Sequence, residues 1–180
     1  DVQLAGDGEA VVFHDDEVER LMQARGDLRK FSSRQLQALH FRQSADRIQT
    51  LGELLDQVAG QVPLVIEIKS HWDGDSRLVE RVLQVVSGYK GPFCLMSFDP
   101  DMLEVLCATA PDVVRGIVAD RAVDPYYDSL PLERRIELRR FKHVSRTMPH
   151  FISYYWQDLP FEPITQAREA GLPVITWTIR

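Results

Sequence analysis

The run Pro63-Leu64-Val65-Ile66-Glu67-Ile68-Lys69 places a carboxylate and an amine two residues apart at the end of an aliphatic segment. Read as a strand, its period of two puts Leu64, Ile66 and Ile68 on one face and Val65, Glu67 and Lys69 on the other. A charged side chain on an inward face is costly unless it is paired or holds a cation. Two readings stay open at this strand: a buried Glu–Lys ion pair that only holds structure, and a polar site. Asp1 supplies a second carboxylate from a different strand-like run. Hard oxygen ligands of this kind suit Mg²⁺ or Ca²⁺, with Mn²⁺ as a substitute. His14, with Asp15 beside it, suits proton transfer near neutral pH, and taken alone it reads equally as a turn histidine.

These side chains depend on the elements that carry them. Residues 1–4 and 10–14 are strand-like and are joined by Ala5-Gly6-Asp7-Gly8-Glu9, where Asp-Gly accepts positive φ. A hairpin here brings Asp1 and His14 to the same end. Further strands are expected at 63–69, 93–98, 113–119, 151–155 and 173–179, rich in Val, Ile, Phe and Tyr. Helices are expected between them. Thr50 with Glu53 forms a capping-box pattern, followed by Leu51, Leu54, Leu55 and Val58 and stopped by Gly60. Leu78, Val79, Val82, Leu83 and Val86 make a second apolar face, and Asp99-Pro100 opens a third helix. Pro131 and Pro163 open two more, the second closed by Gly171. Strands alternating with helices imply parallel βαβ units, in an open doubly wound sheet or a closed (β/α)8 barrel. No G-x-G-x-x-G follows any strand, which disfavours a dinucleotide site. Residues 15–49 are polar, lack a strong strand, and read as an excursion over one face of the core.

Composition narrows the classes. With 44% hydrophobic and 27% charged residues the chain can bury a core, which excludes wholesale disorder. A net charge of −6 argues against a nucleic-acid partner. No run of eighteen apolar residues offers a membrane-spanning helix. Cys94 and Cys107 make neither a disulfide framework nor a zinc site by spacing, and they fit a reducing, cytoplasmic setting. Both ends of the sequence are strand-like, so it is expected to be a stretch of a longer chain: one domain over 1–180, incomplete at both ends.

Other prominent residues carry a plainer expectation. Arg134, Arg135, Arg139, Arg140, Lys142 and Arg146 read first as a solvated helix face and second as a surface that steers anions or touches a membrane. Tyr154, Tyr155 and Trp156 fit a cleft lining or simple packing, and Asp120 and Asp124 fit a loop at a strand end.

Taken together and in order, Asp1-Val2-Gln3-Leu4, Asp7-Gly8, Val11-Val12-Phe13-His14-Asp15, Thr50-Leu51-x-Glu53-Leu54-Leu55 and Ile66-Glu67-Ile68-Lys69 closely resemble the glycerophosphodiester phosphodiesterase family. Ser97-Phe98-Asp99 resembles its Ser-Phe element, and Ile175-Thr176-Trp177-Thr178-Ile179-Arg180 its late tryptophan strand. The resemblance implies a (β/α)8 TIM barrel, here without its first and last strands, that hydrolyses small-molecule glycerophosphodiesters to glycerol 3-phosphate and an alcohol. It implies a divalent metal held by Asp1 and Glu67, His14 as a general acid or base, Lys69 beside the phosphate, and Trp177 lining the substrate cleft. Residues 15–49 match the family's insertion after its second strand. The family's His-Arg-Gly strand, its Glu-Asn element and the Glu two positions before Asp1 fall outside this sequence. Two alternatives accompany this expectation: a non-catalytic barrel that binds a phosphorylated ligand or partner, and a phospholipase-like relative acting on lysolipids or sphingolipids.

Overall fold

The computed structural model describes residues 1–123 and 125–179, so the expectation for Asp124 lies outside the described residues. The chain packs as two compact units: Asp1–Lys69 with Asp75–Phe93, and Ser70–Gly74 with the chain from Cys94 onward.

The first unit is built on the expected hairpin. β1 (Val2–Leu4) and β2 (Ala10–Val12) pair antiparallel with Val2 opposite Val12. The turn closes because the Gly8 amide donates to the Ala5 carbonyl while Gly8 takes φ +83°. Gly6 is required for a different reason: a Cβ there would lie 2.6 Å from the Arg29 carbonyl oxygen. β3 (Leu64–Glu67) runs beside β1, with Val2 bridged in parallel to Ile68 and the Lys69 amide donating to the Val2 carbonyl at 3.1 Å. α2 (Leu51–Val58) carries the predicted capping box of Thr50 and Glu53 and ends on left-handed Ala59 followed by Gly60. α3 (Arg77–Val86) buries Leu78, Val79, Val82 and Val86, and its Arg81 clamps both oxygens of Glu9 at 2.8 and 2.9 Å.

The segment 15–49 is more organised than its polar sequence suggests. It contains α1 (Ser33–Ala38), capped by Ser32 and Gln35, and buries Val18, Met22, Leu28, Leu36 and Ile48 against Ala5, Val11 and Phe13. These apolar residues follow neither a helical nor a strand period, so no pattern announces the cluster.

The second unit is a run of parallel strands joined by helices. β4 (Phe93–Ser97), β5 (Arg115–Ala119), β6 (Phe151–Tyr155) and β7 (Val174–Trp177) pair in that order, all parallel. The crossovers are α4 (Pro100–Thr109), α5 (Leu132–Arg139) with α6 (Val144–Thr147), and α7 (Glu162–Glu169). Leu103, Ile117, Ile152, Tyr154 and Ile164 form its core. Tyr154 is therefore packing, while Tyr155 is half-buried and Trp156 exposed. Gly116 lies under the Phe151 ring, where a Cβ would come within 2.3 Å of ring carbons. Among the described residues no helix is long and apolar enough to cross a membrane.

The basic stretch departs from expectation in part. Arg139, Arg140 and Lys142 are exposed, but Arg134 and Arg146 are drawn into an ion network. Arg134 reaches Asp99, Asp101 and Glu137, and Arg146 reaches Asp101, Glu104 and Glu137. A solvated face thus describes only part of this stretch, because the acids that neutralise the rest lie far away in sequence.

His143 opens α6 and is 1% exposed. Burial depresses its pKa to about 4, with Glu137 opposing and Arg146 and Arg134 assisting. The unfolded chain takes up this proton near pH 6.5, so between about 6.5 and 4 it binds more protons than the folded chain. The stabilisation is complete above pH 6.5 and is lost as pH falls toward 4, by up to about 3 kcal/mol. Urea unfolding at pH 7 and pH 5 checks this: the loss of stability between the two shrinks in His143→Gln. An unchanged pH dependence in that variant removes His143 as its source.

Candidate active site

The register of β1 and β3 brings three predicted residues together. The Lys69 ammonium lies 2.6 Å from Glu67 Oε1 and 3.2 Å from Asp1 Oδ1, and all three side chains are largely or partly shielded from water. Glu67 and Lys69 meet because residues i and i+2 share a strand face, and Asp1 joins them because β1 runs alongside. Two carboxylates and one ammonium leave this cluster with a formal charge of −1.

The hairpin carries His14 to the same end by its backbone: the Phe13 amide donates to the Asp1 carbonyl at 3.2 Å. Gln3, 1% exposed, donates from Nε2 to the His14 carbonyl at 3.1 Å and so fixes the turn that follows β2. The His14 ring is 60% exposed, with Nδ1 2.7 Å from Asp15 Oδ1. Arg20 grips both oxygens of the same carboxylate at 2.5 and 2.7 Å. The Arg20 hydrogen bonds, opposed by partial burial and aided by His14, hold the Asp15 carboxyl below the usual carboxylate range. An ionised Asp15 accepts from Nδ1–H and leaves Nε2 as the ring atom available for proton transfer.

Trp177 lies at the end of β7 in the second unit. Its indole Nε1 donates to the Ser153 carbonyl at 3.0 Å, and its ring meets Tyr155 at 4.8 Å and Phe98 edge-on at 5.4 Å.

Sequence reasoning missed a hub in the same unit. Asp99, 1% exposed, was legible as the N-cap of α4, and its Oδ1 does accept the Asp101 amide at 3.0 Å. The same oxygen takes Arg134 Nη2 at 2.8 Å, and Oδ2 takes the Ser70 hydroxyl at 2.6 Å. Ser70 Oγ in turn accepts the amide of Trp72, a residue held at φ +59°. Asp-Pro signals a cap, and nothing local signals partners so distant in sequence.

A cation suited to this chemistry would bind through oxygen. Among the described residues no group of three or more His, Cys, Asp or Glu side chains is placed to hold one. Asp1 and Glu67 nonetheless form a hard two-carboxylate donor set that converges on positive charge. That set fits a divalent ion which takes its remaining ligands from water and substrate phosphate.

The family model for the glycerophosphoryl diester phosphodiesterase family matches residues 1–180. A search of curated proteins returned no match. Among solved structures, an Oleispira antarctica phosphodiesterase in complex with the product sn-glycerol-3-phosphate is similar with TM-score 0.79 and 20% identity, over 99% of this chain and 71% of that one. A glycerophosphodiester phosphodiesterase from Parabacteroides distasonis is similar with TM-score 0.75 and 16% identity, over 99% and 69%. One from Agrobacterium tumefaciens gives 0.65 and 20%, over 97% and 71%. The shared fold is the (β/α)8 TIM barrel, which decides between the two architectures that the strand–helix alternation left open.

Proposed function

This chain belongs to the glycerophosphoryl diester phosphodiesterase family, whose members are phosphodiester hydrolases, and from that premise we propose how its own residues divide the work. The reaction is hydrolysis of a glycerophosphodiester to sn-glycerol 3-phosphate and an alcohol. The observation that carries the assignment is the convergence of Asp1 and Glu67 on Lys69.

A phosphodiester is anionic and resists a nucleophile, so positive charge must meet the phosphoryl oxygens as they gain negative charge. Lys69 supplies one such charge, and the flanking carboxylates keep its ammonium protonated and aimed. Asp1 and Glu67 would hold a divalent ion, Mg²⁺ or Ca²⁺ with Mn²⁺ as a substitute, which when bound adds electrostatic stabilisation at the phosphate. His14 transfers a proton at Nε2, with Asp15 setting its tautomer. It either activates the attacking oxygen, the glycerol hydroxyl or water, or protonates the leaving alcohol. Trp177 lines the substrate cleft.

The test is metal linkage. Chelation with EDTA abolishes hydrolysis of glycerophosphocholine, and Mg²⁺, Ca²⁺ or Mn²⁺ restores it. Calorimetric titration shows Glu67→Gln losing metal affinity at unchanged secondary structure. Full activity after exhaustive chelation refutes the metal requirement, and an unaltered metal titration in the variant removes Glu67 from the site.

A further inference from the structure

Five aromatic side chains of the second unit touch ring to ring in one continuous run. Tyr155 meets Trp177 at 4.8 Å, Trp177 meets Phe98 at 5.4 Å, Phe98 meets Tyr126 at 5.8 Å, and Tyr126 meets Trp72 at 6.0 Å. None of the five is fully buried, and Tyr126 is 45% exposed. Three of them, Tyr155, Trp177 and Phe98, stand at the C-terminal ends of β6, β7 and β4. Trp72 and Tyr126 come from the loops after β3 and β5. Ligands of parallel βα folds bind at that end of the strands. A packed core would bury these rings, and a small polar headgroup would need one or two of them.

Two ligand chemistries suit aromatic surface: a quaternary ammonium and an apolar chain. The structure discriminates between them at Trp72, where the guanidinium of Arg134 sits 6.0 Å from the ring centroid. The protein's own cation already takes this place, anchored by Asp99, and a second cation would be repelled there. An apolar chain meets no such penalty.

We propose that the run Tyr155–Trp177–Phe98–Tyr126–Trp72 holds the acyl chain of a single-chain phosphodiester lipid, so that the preferred substrate class is a lysophospholipid. This rests on the phosphodiesterase reading given above and narrows it. The chemistry is unchanged. Water supplies the oxygen that ends bonded to phosphorus, the bond from phosphorus to the headgroup alcohol breaks, and that alcohol takes the proton. The products are a monoacylglycerol phosphate and the free alcohol, with water as the sole co-reactant.

The experiment measures choline release by the metal-loaded protein from glycerophosphocholine and from lysophosphatidylcholines of increasing acyl length, each kept below its micellar concentration. The expected result is a kcat/KM that rises with acyl length to at least about tenfold above glycerophosphocholine, chiefly through KM, since a few methylenes taken out of water suffice for that factor. Tyr126→Ser lowers this ratio about five- to tenfold. Val62→Ser, an exposed apolar position of the first unit, leaves it unchanged. Release from glycerophosphocholine without any gain from the acyl chain overturns the proposal while the phosphodiesterase reading stands. Release from neither substrate overturns that reading and the proposal with it. Equal effects of the two substitutions, or tight competitive inhibition by free choline that Tyr126→Ser relieves, also overturn it, the latter by placing the headgroup on the rings.

Discussion

Replacing His14 with Ala lowers kcat on glycerophosphocholine by about 10²–10⁴-fold, the usual worth of a positioned acid or base. Metal affinity changes little, because the ring is exposed and tied to Asp15 rather than to the carboxylates at Lys69. The role follows from leaving-group chemistry. If His14 protonates the departing alcohol, a nitrophenyl ester, whose leaving group needs no proton, is rescued substantially in the variant. If His14 activates the attacking oxygen, the deficit persists on that ester. Asp15→Asn supplies an independent check: it removes the charge on Asp15 and frees the tautomer, so it loses part of what His14→Ala loses. The competing view is a turn histidine held by Asp15 for local structure. It predicts near-normal kcat for both variants on both substrates, and a His14→Ala enzyme within a few-fold of wild type would establish it.

Much of this arrangement was legible because the decisive contacts are short in sequence or set by strand period. Glu67 and Lys69 meet two residues apart on β3. Asp1 and His14 share an end because Asp7-Gly8 makes a hairpin turn. Each strand occurs within its expected run, trimmed at the ends where pairing stops. Predicted 10–14 becomes Ala10–Val12, and predicted 63–69 becomes Leu64–Glu67 although Lys69 still donates to Val2. What stayed hidden lacks a period or spans long separations. α1 buries only Leu36, so its capping box had no apolar stripe to support it. Val18, Met22, Leu28 and Ile48 pack from irregular backbone, where spacing carries no signal. Arg134 and Arg146 look like solvated charges until Asp99, Asp101 and Glu104 are folded against them. The aromatic run is invisible for the same reason, because its five members come from five separate stretches of chain.

Asp99→Ala costs about 3–5 kcal/mol of stability, the range for removing one partner of a buried pair. The carboxylate is 1% exposed and both its oxygens are engaged. Truncation strips an acceptor from the partly buried Arg134 guanidinium, from the Ser70 hydroxyl and from the first turn of α4. The Arg134 charge keeps Asp101 and Glu137, which moderates the loss without abolishing it. Asp99→Asn separates the contributions. Its amide oxygen still accepts one hydrogen bond and caps α4, but it offers no negative charge to Arg134 and turns an NH₂ toward a donor. It therefore falls between wild type and Ala. Ser70→Ala loses only a hydroxyl and its link to Trp72, and costs about 1 kcal/mol. Urea unfolding of the three variants gives the ranking directly. Asp99→Ala within 1 kcal/mol of wild type would mean that Asp101 and Glu137 satisfy Arg134 unaided and that the hub is redundant. The expected ranking, with near-ultraviolet circular dichroism of the Trp72 region altered in Asp99→Ala and Ser70→Ala alike, assigns Asp99 the task of holding the loop after Lys69. That loop bears the last ring of the aromatic run, so a residue far from Trp72 in sequence sets where the run ends.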